Sequence, residues 1–403
     1  MNEKGLVDFF EKYLTKNPLF KNKTALQSNY IPTTVFHRKE QIKQIASILA
    51  PCLRKEKPSN IFIYGKTGTG KTLTIKQVTE GLQKTAKQRE LPVKIIYLNC
   101  KLKKVADTEY RLFAQLIREF GKTIPSTGLP TDDVYTMFYN LLDKEKIILL
   151  LVLDEIDQLT GKSGNEILYN ITRINTELKK SQISLIGISN DLIFTDNLDP
   201  RVKSSLSEEE IVFPPYNALQ IQEILKDRAN KAFTEKAVEP GVIEKCSAYA
   251  AREHGDARRA IELLRVAGEL AERNNQEQIK MPNIDKAEEK IDKDRFLHLI
   301  KTQPQQHQAT LYAIYNVCSK KEKHVFTGEV YEIYQKLCSQ INLRPLTQRR
   351  ISDIIAEFDM MGIINAEIIS KGRYGRTREI RLASTNALQP KIQKILEEEL
   401  GLA

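Results

Sequence analysis

The sequence predicts an α/β protein of three parts: a P-loop domain on a parallel sheet, a small all-α lid domain and a C-terminal winged helix-turn-helix domain. Three observations carry that expectation. Apolar β-like runs alternate with helical patterns from Ile61 to Phe213, the rhythm of a parallel sheet with helices on its faces. A complete G-x-x-x-x-G-K-[ST] segment, Gly65–Thr72, sits between the first such run and the first long helix. Beyond Arg295, three helical patterns precede two β-like runs that flank a basic, glycine-containing turn.

Residues 1–29 form a polar, lysine-rich N-terminal extension around the amphipathic piece Val7–Leu14. The α/β domain spans 30–215. It opens with helical spacing at Ile42, Ile45, Ala46 and Leu49, broken by Pro58 and Asn60. Strands are predicted at Ile61–Tyr64, Val93–Leu98, Ile147–Leu153, Ser184–Ile188 and Glu210–Phe213. Helices are predicted at Leu73–Leu82, Tyr110–Phe120 and Ile167–Leu178. After Pro214-Pro215 the strands stop. Ala218–Phe233, Gly241–Glu253 and Asp256–Arg273 read as helices of an all-α lid over 216–292, ending in the polar and charged stretches Arg273–Lys280 and Asp285–Asp294. The third domain, 293–403, has helices at Gln308–Cys318, Gly328–Ser339 and Thr347–Met361, then β-runs Ile363–Ile369 and Arg378–Leu382.

Composition narrows the class. The longest apolar run, Ile147–Leu153, is far short of the roughly 20 residues that span a bilayer, and charges interrupt Met1–Leu14, so no membrane segment or signal peptide is predicted. The expectation is a cytoplasmic, nucleoid-associated protein. Cys52, Cys100, Cys246, Cys318 and Cys338 form no C-x-x-C pair, and no histidine is spaced to complete a zinc site; reduced thiols in cores are expected. The net charge of +10 is compatible with a polyanionic partner.

Gly65, Thr67, Gly68, Thr69 and Gly70 are placed to turn backbone N–H groups onto phosphate oxygens, and the following helix adds its N-terminal dipole. Lys71 would reach the β- and γ-phosphates of ATP or ADP, and Thr72 would hold Mg²⁺. Asp154-Glu155 follow the buried run Ile147–Leu153 and so stand at the carboxyl end of a strand, where parallel sheets bind ligands. There Asp154 would position Mg²⁺ and Glu155 would polarise the attacking water. Asn190, at the end of the next strand, is placed to orient that water or the γ-phosphate.

Taken with Asp199–Leu206 and Gly255–Ala260, these motifs resemble the successive signatures of an initiator-clade AAA+ protein. With the winged-helix tail, the chain from about Tyr30 onward resembles the archaeal origin-recognition and helicase-loading initiator family, relatives of the eukaryotic origin recognition complex. The resemblance implies that Asn190 and Arg258 are sensor residues, with Arg258 rather than adjacent Arg259 facing the phosphates. It implies that Arg201 lies near a neighbouring subunit's nucleotide, with pairing to a local carboxylate as the lesser alternative. Tyr30, Pro32, His37 and Arg38 match the segment lining the adenine pocket. A basic insert at Cys100–Asp133, with Lys101, Lys103, Lys104, Arg111, Arg118 and Lys122, matches one that touches DNA in the family. The implied partners are double-stranded origin DNA, other initiator subunits and the replicative helicase.

In a helix-turn-helix the second helix enters the major groove, and its exposed start here offers Thr347, Gln348, Arg349 and Arg350, while Ile351, Ile354 and Ile355 would pack inward. The predicted wing carries Lys371, Arg373 and Arg376 to grip phosphates, and Tyr374 to stack on a sugar or cap the turn. Other readings stay open: a winged helix used for protein contacts, a branch-migration motor of the same domain types, or a clamp-loader-like or signalling NTPase. The basic insert favours the initiator over the motor. Ser204-Ser205-Leu206 lacks the Ser-Arg-Cys pattern of clamp loaders.

Overall fold

The computed structural model describes residues 18–402, apart from 28–29, 33, 102–107, 126–127, 160, 207, 254, 321–324, 371–375 and 383–387. The described residues divide into two compact units, one up to Ala287 and one from Glu288.

The first unit contains a five-stranded parallel sheet of β1 (Ile61–Tyr64), β2 (Val93–Asn99), β3 (Ile148–Asp154), β4 (Gln182–Ser189) and β5 (Glu209–Val212), in the order β2-β3-β4-β1-β5. Strand β3 is buried along its whole length, which is why its sequence is a continuous apolar run rather than an alternating one. Leu149, Leu151 and Leu153 pack on one face with α3 (Glu109–Glu119), α4 (Thr131–Glu145), α5 (Gly161–Arg173) and α6 (Pro200–Leu206). Leu150 and Val152 pack on the other with α1 (Lys39–Leu49) and α2 (Lys71–Gln88). Because all five strands are parallel, Tyr64, Asp154 and Ser189 end at the same edge of the sheet. Helices α4 and α6 lie where no helix was predicted; Val134, Phe138, Leu141 and Leu142 form the buried face of α4.

The lid follows as α7 (Ala218–Ala232), α8 (Val242–Arg252) and α9 (Ala257–Arg273). Asn217 and Gln220 start α7 with a reciprocal capping box, and Asp256 caps α9 by accepting from the Arg258 N–H. Part of the expected N-terminal extension belongs to this packing. Leu19, Ala25 and Leu26 are buried, Phe20 bridges to Phe233, and the Arg228 guanidinium donates to the Ala25 carbonyl at 3.0 Å.

The charged stretch Asp285–Asp294 is helical. It lies within α10 (Met281–Lys301), a single 21-residue helix, so the predicted boundary at 292/293 falls inside a helix. Its Lys, Glu and Asp residues tolerate an exposed helix face, while Ile284, Ala287 and Ile300 are fully buried. The second unit continues with α11 (Gln305–Lys320), β6 (Val325–Phe326), α12 (Thr327–Gln340), α13 (Gln348–Met360), β7 (Ile364–Ser370), β8 (Arg376–Leu382) and α14 (Gln389–Leu400). The strands form an antiparallel sheet in the order β6-β8-β7. Strand β6 and helix α14 were not foreseen: two residues are too short to show a period, and α14 begins at Gln389-Pro390 beyond the hairpin. Among the described residues no helix is long and apolar enough to cross a membrane.

Candidate nucleotide site and nucleic-acid interface

The phosphate loop joins β1 to α2. Gly70 caps α2 at φ 86° with no side-chain hydrogen bond, which leaves the first-turn N–H groups of α2 for an anion. Lys71 is 5% exposed. Its ammonium donates to the carbonyls of Gly65 (2.7 Å) and Lys66 (2.8 Å) and to Asn190 Oδ1 (2.9 Å). Burial, opposed by Asp154 and assisted by Arg258, brings its pKa down to about 8. The Thr72 hydroxyl donates to Asp154 Oδ2 at 2.8 Å. Thus the ends of β1, β3 and β4 bring together four predicted residues as two adjacent hydrogen-bonded pairs, Lys71 with Asn190 and Thr72 with Asp154.

A cavity of about 990 Å³ opens beside this group, lined by Tyr30, Pro32, Gly68 to Thr72, Asp154, Glu155, Asn190 and Arg258. Uncapped N–H groups, a buried lysine and paired hydroxyl and carboxylate oxygens fit a polyphosphate with Mg²⁺. Gly65 serves through its carbonyl, and Thr67 donates to Asp256 Oδ2 at 3.2 Å. Glu155 adopts the left-handed conformation at φ 54° and faces Lys101 Nζ at 3.6 Å. That pairing turns Lys101, predicted for DNA, toward the nucleotide site.

Three predicted residues lie elsewhere. His37 Nε2 lies 3.0 Å from Glu223 Oε2 of the lid. Arg38 is 2% exposed and spends its donors on backbone carbonyls, so neither residue lines the cavity. Arg201 grips Asp199 with two side-chain bonds of 3.0 Å, packs over the Tyr169 ring and stands outside the cavity. Asp199 is held down at about 2 by those bonds. Of the adjacent arginines, Arg258 lines the cavity and Arg259 turns to Glu253 at 3.1 Å.

Sequence reasoning missed three residues here. The Tyr97 hydroxyl donates to Asp154 Oδ2, and burial with that carboxylate pushes the phenol upward. Asp157 Oδ1 accepts from the Ser189 hydroxyl (3.1 Å) and the Asn190 N–H (3.0 Å), holding Asn190 in place. Asp256 lies so close to the phosphate loop that a Cβ on Gly68 would sit 1.7 Å from its Oδ1. Asp157 had a signal, an acid three residues after Asp154. Tyr97 and Asp256 depend on strand register and lid closure, which a single sequence does not display.

In the second unit, Thr347 caps α13 and stands exposed with Gln348, Arg349 and Arg350, while Ile351, Ile354 and Ile355 are fully buried. Arg350 pairs with Asp353 (3.8 Å) and Glu357 (3.4 Å), and His307 Nε2 lies 2.8 Å from Glu357 Oε2, which holds that carboxyl below its usual range. The turn before α13 is pinned by Tyr334, whose hydroxyl donates to Gln306 Oε1 and accepts from the Leu346 N–H at 3.0 Å. Lys371, Arg373 and Tyr374 lie outside the described residues, as does Lys103; Arg376 opens β8. Arg111 is half-buried on α3.

Three family models match in succession: an AAA domain over residues 54–192, the Cdc6 AAA+ ATPase-type lid domain over 222–289, and the C-terminal winged helix domain of CDC6 over 298–388. An AAA+ domain of this kind implies nucleotide binding and ATPase activity. The ORC1-type DNA replication protein of Thermococcus onnurineus is 52% identical over 389 residues, 96% of this chain and 93% of that protein. Its counterpart in Archaeoglobus fulgidus is 46% identical over 396 residues, 98% of this chain and 95% of that one. The solved structure of the Aeropyrum pernix ORC1 protein in complex with DNA is similar with a TM-score of 0.82 at 41% identity, covering 95% of this chain and 98% of that one. With a parallel P-loop sheet, a helical lid and a winged helix in that order, the chain belongs to the family of ORC1-type DNA replication proteins.

Proposed function

We propose that the chain is an ATP-regulated replication initiator that binds double-stranded origin DNA, with slow hydrolysis serving as a conformational switch. The observation that carries this reading is the contact of the lid with the phosphate loop. Asp256 accepts from Thr67, and the Ala257 N–H donates to the Gly68 carbonyl at 3.4 Å, so the state of the loop bears directly on the lid. Lys71 would neutralise phosphate charge, Asn190 and Arg258 would sense the γ-phosphate, and Glu155 would polarise water. Thr72 and Asp154 supply the hard oxygens that Mg²⁺ takes, and the bound ion would offset charge on the phosphate oxygens. Arg201, free of its own cavity, would serve the nucleotide of a neighbouring initiator subunit.

DNA binding is assigned to the exposed start of α13, the basic wing and the basic insert between β2 and α4. Similarity to an ORC1 protein seen in complex with DNA supports that assignment. Further initiator subunits and the replicative helicase are the proposed protein partners, and the cytoplasm the site of action. Turnover measured with and without duplex DNA tests the switch. Slow hydrolysis in both conditions fits an initiator; DNA-stimulated turnover of many ATP per second would instead make the chain a motor.

A further inference from the structure

The segment between β5 and α7 connects the base domain to the lid, and it is packed against the phosphate loop along its length. A Cβ on Gly65 would sit 2.4 Å from the Phe213 carbonyl oxygen, and one on Gly70 would sit 2.7 Å from the Tyr216 hydroxyl. On its other side, the Tyr216 carbonyl lies 2.4 Å from where Gly255 would carry a Cβ, one residue before Asp256. Tyr216, 4% exposed, therefore touches the last glycine of the phosphate loop and the entry to α9.

Arg38 closes this arrangement. Its Nε donates to the Thr69 carbonyl of the phosphate loop at 2.9 Å, one terminal nitrogen donates to the Pro214 carbonyl at 2.5 Å, and the other to the His37 carbonyl at 3.2 Å. The guanidinium lies over the Tyr216 ring at 3.9 Å and over the Phe213 ring at 5.5 Å. Burial lowers its pKa, and the carbonyls of Thr69, His37 and Pro214 that accept from it carry no charge. A rigid planar fork holds these three carbonyls in one fixed geometry; a lysine ammonium is a compact point charge and does not reproduce that geometry.

We propose that Arg38 is a positioning residue that couples the phosphate loop to the base–lid connection, so that the shape the loop takes around a nucleotide is passed to the lid through Thr69, Arg38 and Pro214. This rests on the proposed nucleotide switch and names the part that transmits it. Arg38 does not touch the nucleotide. It fixes the Thr69 carbonyl and the Pro214 carbonyl to one rigid plane, and a rotation of either peptide moves the other.

The test uses the full chain with spin labels at two exposed positions, Lys87→Cys on α2 and Glu235→Cys in the lid; four native cysteines are buried and Cys318 is partly buried. Distances are read at saturating ADP and at a saturating nonhydrolysable ATP analogue, with saturation confirmed by a fluorescent nucleotide. The expected result is two nucleotide-dependent distances in the parent and a single, nucleotide-independent distribution in Arg38→Lys. Should Arg38→Lys not fold, Arg38→Gln, which buries no charge, is read the same way. A folded Arg38 variant that keeps the parent's response, with only its melting temperature lowered, would reduce the residue to a structural support and overturn the proposal. A parent that binds nucleotide without any change in distance would also overturn it, while leaving the nucleotide site standing. A parent that binds no nucleotide would defeat the functional reading itself.

Discussion

At the scale of residues, the site turns on Lys71. Its buried ammonium has a pKa of about 8 in the free protein, below that of an ordinary lysine. Phosphates favour the charged form, so above that pH ATP must bind together with a proton. ATP affinity is therefore independent of Lys71 titration below about pH 8, where the ammonium is already charged, and declines as pH rises past it. Isothermal titration across that range checks the sign, and Lys71→Ala should bind far more weakly and lack the decline. Glu155→Gln keeps the shape of the site but removes the carboxylate that polarises water. Nucleotide binding should persist while turnover falls on the order of 10²–10⁴-fold; normal turnover would remove Glu155 from that role. Arg201, clamped on Asp199 and outside the cavity, should behave differently again. Arg201→Ala is expected to leave ATP affinity of a dilute monomer intact and to lower turnover only in an assembly. A sharp loss of affinity in the monomer would contradict the trans role.

At the scale of elements, the recognition helix α13 makes the clearest prediction. Arg349 is exposed at its start and carries no ion pair among the described residues, whereas Arg350 is held by Asp353 and Glu357. If Arg349 reads a guanine, Arg349→Ala should cost about 1–3 kcal/mol on the preferred duplex and less on an unrelated one. Equal losses on both duplexes, in fluorescence anisotropy, would make it a phosphate contact. The elements that could be read from the sequence are those with strong local signals. The phosphate loop has fixed glycines, β3 is a continuous apolar run, and α13 repeats isoleucine on one face. The elements that escaped have weak local signals. The charged surface of α10 masks Ile284, Ala287 and Ile300, and β6 is only two residues long. The same divide runs through the site. Lys71, Thr72, Asp154 and Asn190 sit in recognisable motifs, and the structure pairs Lys71 with Asn190 and Thr72 with Asp154 by hydrogen bonds. Tyr97 became visible only through the register that pairs Asn99 with Asp154, and Asp256 only once the lid was folded onto the loop. The resemblance groups Arg38 with the adenine pocket, and the structure buries it among carbonyls beside the phosphate loop, outside the cavity lining.

At the scale of the whole molecule, the chain joins a nucleotide site whose loop touches a lid to a winged helix that offers an exposed helix start. On the proposed function, nucleotide state governs DNA binding. That dependence is tested most directly by fluorescence anisotropy of the full chain on one origin-like duplex and one unrelated duplex, at fixed salt, with ADP and with a nonhydrolysable ATP analogue. Affinity for the origin-like duplex should differ between the two nucleotides by on the order of 5–150-fold, a typical coupling between sites. Lys71→Ala should abolish the difference. Equal affinity in both nucleotide states, or equal affinity for the two duplexes throughout, would contradict the proposed function.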